Sequence, residues 1–173
     1  MPLYLYEITA AESDTDHVLK EIDALTQRLG GELIEAQITT AHKIFAIAEF
    51  AGDEAPTLDP AALGGAQVAG PHQVRLVGAA LEDLKAARPA AGYLVEWDIP
   101  AEIDMDSYLA RKKANAPRYA DVPEVSFLRT YVREDTVKCL CFYDAPDEDA
   151  VRRARDAVST PIDRLHRLDE DRR

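Results

Sequence analysis

Short strings of residues recur about ninety positions apart, and this repetition constrains the chain more than any other feature. Tyr4-Leu5-Tyr6-Glu7 matches Tyr93-Leu94-Val95-Glu96. Ala46-Ile47-Ala48-Glu49-Phe50 matches Cys139-Leu140-Cys141-Phe142-Tyr143, and Val74-Arg75-Leu76-Val77 matches Leu165-His166-Arg167-Leu168. The offsets are 89, 93 and 91 residues, as expected for one repeat with small insertions. A chain of 173 residues then reads as two units, 1–87 and 93–169, with 88–92 as linker and 170–173 as a tail.

Each half predicts the same order of elements. In the first, Leu3 to Ile8 is an apolar run, and Val18, Ile22, Leu25 and Leu29 recur at helical spacing until Gly30-Gly31. Ser13 or Asp14 would cap that helix. Leu33–Thr39 and Lys43–Phe50 read as strands joined around Ala41-His42. Residues 51–70 are rich in Pro, Gly, Ala and Asp, so a second helix there is eroded to a turn or two after Asp59-Pro60. His72–Val77 is a fourth strand, and a short helix over 79–87 leads to the linker Arg88-Pro89-Ala90-Ala91-Gly92. In the second half, Tyr93–Ile99 is a strand. A helix runs from Asp104 until Pro117 ends it, and 125–132 with 136–143 forms a hairpin. Asp147 caps a helix with the stripe Ala150, Val151, Ala154, Ala157 and Val158. Ile162–Leu168 is the last strand.

The order βαββαβ, twice, is that of two ferredoxin-like units, an α+β fold. Ile44, Ala46, Ala48 and Phe50 face one side of their strand, and Phe45 and Ile47 the other. Both faces are apolar, so both must be covered. Helices cover one face of such a sheet, and packing two sheets together would cover the second. The expected architecture is a pseudo-dimeric α/β barrel within one chain. It exists as a monomer or pairs further into a homodimer.

The totals narrow the function classes. A formal charge of −12 argues against a phosphate-backbone partner, which needs clustered Lys and Arg. No apolar run approaches the length of a membrane span. Strand-like sequence begins at once after Met1-Pro2, without a basic leader, so a cytoplasmic location is expected. Gly-rich phosphate loops, G-x-S-x-G elbows and paired Cys or His zinc spacings are absent. His17, His42 and His72 are scattered and read as surface or capping residues.

Two places invite chemistry. Cys139 and Cys141 lie on one face of one strand, as reduced thiols of a cytosolic chain. They would suit a soft or borderline metal ion, or they are small residues fitted to a crowded strand. Glu7 and Glu96 are carboxylates on central strands, costly unless paired or facing a cavity. The fourth strand of each unit offers a partner, which predicts pairs Glu7–Arg75 and Glu96–His166. They are either buried structural ion pairs, or Glu96 and His166 form an acid–base pair in a cavity also lined by Asp98, Arg129 and Tyr131. Matching the halves sets Cys139 and Cys141 against Ala46 and Ala48, His166 against Arg75, Arg129 against Gln37 and Tyr131 against Thr39. The second half thus has the more reactive side chains and is expected to hold the site.

Residues 92–169 resemble a family of small ferredoxin-like domains described as nickel-binding proteins. The resemblance rests on Tyr93-Leu94-Val95-Glu96, on Tyr131-Val132 with Glu134-Asp135 and Cys139, on Ala145-Pro146-Asp147-Glu148 with Ala150-Val151-Arg152, and on Ile162 to Leu168. It implies single domains that dimerise, some of which bind nickel. A histidine is expected just before the Tyr-Val pair, where this chain has Arg129-Thr130. Arginine has no free lone pair for a metal. The expected function is a metal- or small-ligand-binding protein, with nickel or another transition metal as possible cofactor and Cys139 and Cys141 as its thiolate ligands. A small enzyme of the dimeric α/β-barrel kind (monooxygenase, isomerase or cyclase) acting through Glu96 and His166 is the alternative. A structural or partner-binding module is the third reading.

Overall fold

The alternation of apolar runs and helical stripes is realised as eight strands and four α-helices in a computed structural model, which describes residues 2–11, 14–52 and 55–169. Two units divide the chain: one built on residues up to Val74 together with Asp169, the other on Arg75–Leu168. None of the described helices is long and apolar enough to cross a membrane.

In the first unit, β1 (Leu3–Thr9), β2 (Gly31–Ile38), β3 (Lys43–Phe50) and β4 (Gln67–Val77, whose last residues belong to the second unit) follow the order β2-β3-β1-β4. Helix α1 (Thr15–Arg28) buries Val18 and Ile22; of the other two residues at helical spacing, Leu25 is half-buried and Leu29, just past the helix, is exposed. Asp14 stands at its N-cap but makes no side-chain capping bond, and Ser13 lies outside the described residues. The expected second helix is a 3-10 turn, Pro60–Leu63. Asp59 accepts a hydrogen bond from the Ala61 amide, and Gly64, in the left-handed region, ends the turn. Leu58, Leu63 and Ala66 from this segment pack into the core with Tyr4, Tyr6 and Ile22, doing part of a helix's covering work. Beside β1, β4 is irregular between Leu5 and Glu7. Gly70 sits at that irregularity with φ +109, where a Cβ would meet the Leu5 carbonyl oxygen at 2.5 Å, so only glycine fits.

In the second unit, α2 (Leu81–Ala86) precedes β5 (Tyr93–Asp98), α3 (Met105–Asn115), β6 (Ser126–Arg133), β7 (Lys138–Asp144), α4 (Glu148–Ala157) and β8 (Arg164–Arg167). The strand order is β6-β7-β5-β8, the same as in the first unit. Asp104 and Asp147 cap α3 and α4 by accepting hydrogen bonds from the amides of Ser107 and Ala150, each 2.8 Å long. Pro117 does not simply end the chain's helical run. It sits in the first turn of a 3-10 segment, Ala116–Asp121, that continues α3. The core lies between the sheet and the helices. Val95, Trp97, Cys139, Cys141 and Tyr143 face Tyr108, Ala150, Val151 and Ala154.

The observed pairing revises the match between the halves. Opposite Glu7 stands Phe45, and opposite Glu96 stands Leu140. With the two glutamates aligned, Cys141 corresponds to Ala46 and Cys139 to Ile44. Arg129 corresponds to Glu35, Tyr131 to Gln37 and His166 to His72. The string match was two residues off on the third strands. A two-residue slip keeps every side chain on its own face, so alternation alone does not detect it.

Candidate functional site

Glu96 is fully buried and gathers three partners. Lys138, at the start of β7, places Nζ 2.7 Å from one carboxylate oxygen. Arg164, directly across from Glu96 on β8, donates from Nε at 2.8 Å to the other oxygen. His166 Nε2 lies 2.7 Å from that same oxygen. Arg164 also grips Asp98, with contacts of 3.0 and 2.5 Å. Burial alone would raise the Glu96 pKa. The bonds from His166, Lys138 and Arg164, with the charge of Lys138, outweigh it and hold the carboxyl well below the usual range. Asp98 is lowered chiefly by Arg164. A carboxylate so saturated is a poor proton acceptor, and its geometry is that of a structural ion cluster.

The expected Glu96–His166 contact is thus present, and sequence reasoning missed Lys138 and Arg164. The expected Glu7–Arg75 pair is not formed. Ala69 stands across from Glu7 on β4. Glu7 binds Lys43 at 3.0 Å, and Arg75, farther along the strand, makes a two-pronged bridge to Glu134 at 2.8 and 3.0 Å. Arg129 and Tyr131 are fully buried and stand opposite Phe142 and Leu140, on the same sheet face as Glu96. Arg129 lies over the Phe142 ring at 4.9 Å and donates to the Pro89 carbonyl at 3.2 Å.

The thiols occupy the opposite face, under the helices, and their strand is separated from β8 by β5. A cavity of about 30 Å³ lies there, lined by Cys139, Cys141, Trp97, Tyr108, Lys112, Tyr119 and Arg155 among others. None of Glu96, Asp98, Arg129, Tyr131 or His166 lines it. The two sulfurs are 4.0 Å apart, both are buried and both are free. Thr130, paired with Cys141 across β6 and β7, donates its hydroxyl to that sulfur at 3.3 Å.

Arg155 had no place in the sequence reading, although its spacing from Val151 and Val158 puts it on the buried face of α4. It is 2 % exposed. One terminal nitrogen donates to the Tyr143 hydroxyl at 3.1 Å and the other to the Pro161 carbonyl at 2.7 Å, while Nε is buried without a partner. The thiols titrate as a pair. Cys139 is pushed well above the ordinary value by its bond to Cys141 and then by burial. Cys141 is held well below it, first by the bond from Cys139. Burial opposes this, and Lys112, Arg155 and Thr130 favour the thiolate. Burial and the nearby Cys141 push the Tyr119 hydroxyl up to about 12, so it keeps its proton.

Neither cluster fits nickel. Among the described residues, no group of three or more His, Cys, Asp or Glu is placed to hold a metal. The cavity offers two thiols but also Arg155 and Lys112, whose charge opposes a cation. The Glu96 carboxylate is already taken up by Lys138, Arg164 and His166.

Comparison with known proteins adds a family match over the second unit and a likeness of fold. Residues 93–168 match the family model described as nickel responsive protein SCO4226-like. No curated protein matches the chain. Among solved structures, the chain is similar to the candidate chlorite dismutase TA0507, with a TM-score of 0.57, 15% identity, and 99% of this chain and 97% of that one covered. It is also similar to a candidate monooxygenase from Lactobacillus acidophilus NCFM, with a TM-score of 0.51, 11% identity, and 97% and 92% covered. At such identities the likeness concerns the fold. The fold is α+β, built of ferredoxin-like units.

Proposed function

We propose that the chain is a small-ligand-binding protein whose ligand enters the helix-side cavity of the second unit, and that this ligand is a small anion or a neutral polar molecule rather than nickel. One observation carries the reading. Arg155 is a buried cation lining a cavity, and one of its donors has no partner in the protein. A buried unpaired donor costs about 1–3 kcal/mol, so a ligand that accepts from it gains what the protein leaves unmet. Lys112 and the Tyr119 hydroxyl add to the positive, donor-rich lining. The match to a nickel-responsive family supports a ligand-responsive role. The donor set in this chain does not support the thiols as nickel ligands.

The test combines thermal unfolding and calorimetry. Azide and nitrite, small enough for the cavity, are expected to raise the Tm of the wild type, and to do so less in Arg155→Lys. Nickel affinity by calorimetry is expected to be the same in wild type and in Cys139→Ala/Cys141→Ala. A Tm indifferent to both anions overturns the proposal. A nickel affinity lost in the double variant, with an unchanged circular dichroism spectrum, returns the cavity to the metal reading.

A further inference from the structure

We infer that the cavity is a peroxide-reducing site, with Cys141 as the nucleophile and hydrogen peroxide as the oxidant it admits. The inference rests on reading this cavity as a ligand site and names the chemistry of that ligand. The geometry supplies what such a reaction needs. The Cys141 sulfur lines the space, and the Thr130 hydroxyl holds it at 3.3 Å. Arg155 and Lys112 line the same space, placing positive charge beside both the sulfur and the oxygen that must leave. The partnerless Nε of Arg155 offers a donor that water or peroxide oxygen can take up.

Volume sets the specificity. About 30 Å³ holds two or three water-sized molecules, at roughly 10–15 Å³ each by this measure. Hydrogen peroxide fits that space, whereas an aryl or tertiary alkyl hydroperoxide does not. In the step, the Cys141 thiolate attacks one peroxide oxygen. An S–O bond forms as the O–O bond breaks, and the other oxygen leaves as hydroxide, which is neutralised to water by the proton that the Cys141 thiol released to solvent on forming the thiolate. Sulfur is oxidised by two electrons to the sulfenic acid, and the peroxide is reduced to water. Cys139 lies two residues away on the same strand. There Cα atoms are ~6.6 Å apart, near the outer limit for a disulfide, so the sulfenic acid is the first product to accumulate.

The experiment treats the folded full chain with hydrogen peroxide and removes the excess with catalase. The protein is then unfolded in dimedone so that the reagent reaches the buried sulfur, and the adduct is located by peptide mass spectrometry. A dimedone adduct on Cys141 and not Cys139 is expected. It should form faster with hydrogen peroxide than with cumene hydroperoxide, survive in Cys139→Ser and vanish in Cys141→Ser. Arg155→Lys is expected to slow it about tenfold or more. Should that variant not fold, Thr130→Val, which removes the hydroxyl at the sulfur, is expected to slow it severalfold. Equal labelling of both cysteines, equal rates with the two peroxides, or an unchanged rate in Thr130→Val overturns the inference. If no adduct forms while azide or nitrite still raises the Tm, the peroxide chemistry alone fails. If neither occurs, the ligand site fails with it.

Discussion

Glu7 and Glu96 occupy the same place in their units, and each is held by the lysine that starts the third strand: Lys43 at 3.0 Å from Glu7 and Lys138 at 2.7 Å from Glu96. The surroundings then diverge. Ala69 stands across β4 from Glu7, while Arg164 stands across β8 from Glu96. His166 adds a third partner to Glu96. On the helix side, Ala46 and Ile44 in the first unit stand where Cys141 and Cys139 stand in the second. A short 3-10 turn takes the place of α4 and its Arg155. The shared lysine–glutamate pair belongs to the framework of the unit. The thiols, the buried arginine and the cavity belong to the second unit alone.

The sharpest way to break this comparison is to remove the carboxylates. Glu96→Ala leaves Lys138, Arg164 and His166 around a vacated buried position, and is expected to cost about 3–5 kcal/mol in chemical denaturation. Glu7→Ala takes the carboxylate from Lys43, a lysine that reaches solvent (31 % exposed), and is expected to cost clearly less. Equal losses would mean that the extra partners of Glu96 add nothing.

Acid separates the units next. The folded pKa of Glu96 lies below its unfolded value of about 4.3, so the unfolded chain binds more protons in that window. The stability it contributes is whole above about pH 5 and falls away as pH drops towards the folded value. In Glu96→Gln the unfolding free energy should lose part of that acid slope. A slope unchanged in Glu96→Gln would show that other carboxylates dominate.

Smaller still is the effect of giving the first unit a thiol. Ala46→Cys adds one sulfur at the position matching Cys141, at a packing cost of about 1–3 kcal/mol. Without an arginine from a helix in the place of α4, that thiol should stay protonated and resist hydrogen peroxide in the folded protein. Oxidation as fast as at Cys141 would show that the strand position, and not Arg155, activates sulfur. Least of all is Arg75→Ala, which removes a bridge between side chains 45% and 33% exposed. It is expected to cost about 0–1 kcal/mol. A double-mutant cycle should find coupling to Glu134 and none to Glu7.

Element order was legible because it rests on period and punctuation. The α1 stripe, the Asp104 and Asp147 caps and the Gly64 stop each leave a local mark. Glu96 with His166 was legible from strand order. Its cluster was not, since Lys138 and Arg164 join it through strand register, which alternation leaves free to slip by two. The cavity was hidden for a related reason. Cys139 and Cys141 showed their shared face, but what covers that face comes from α3, the 3-10 segment after it and α4, far along the chain. Arg155 did leave a sign: a charged residue at a buried position of an otherwise small and apolar helical stripe.

The placement of two like units in a single polypeptide has a genetic consequence. When an assembly is made of identical chains, every substitution appears in all copies, and a residue that suits one site must be tolerated in each. Here position 46 and position 141 are separate codons. Selection can keep alanine in one and cysteine in the other, and can shorten a helix in one unit while retaining it in its counterpart. Sequence change in the second unit can therefore proceed at Cys141 without a matching change at Ala46 in the first.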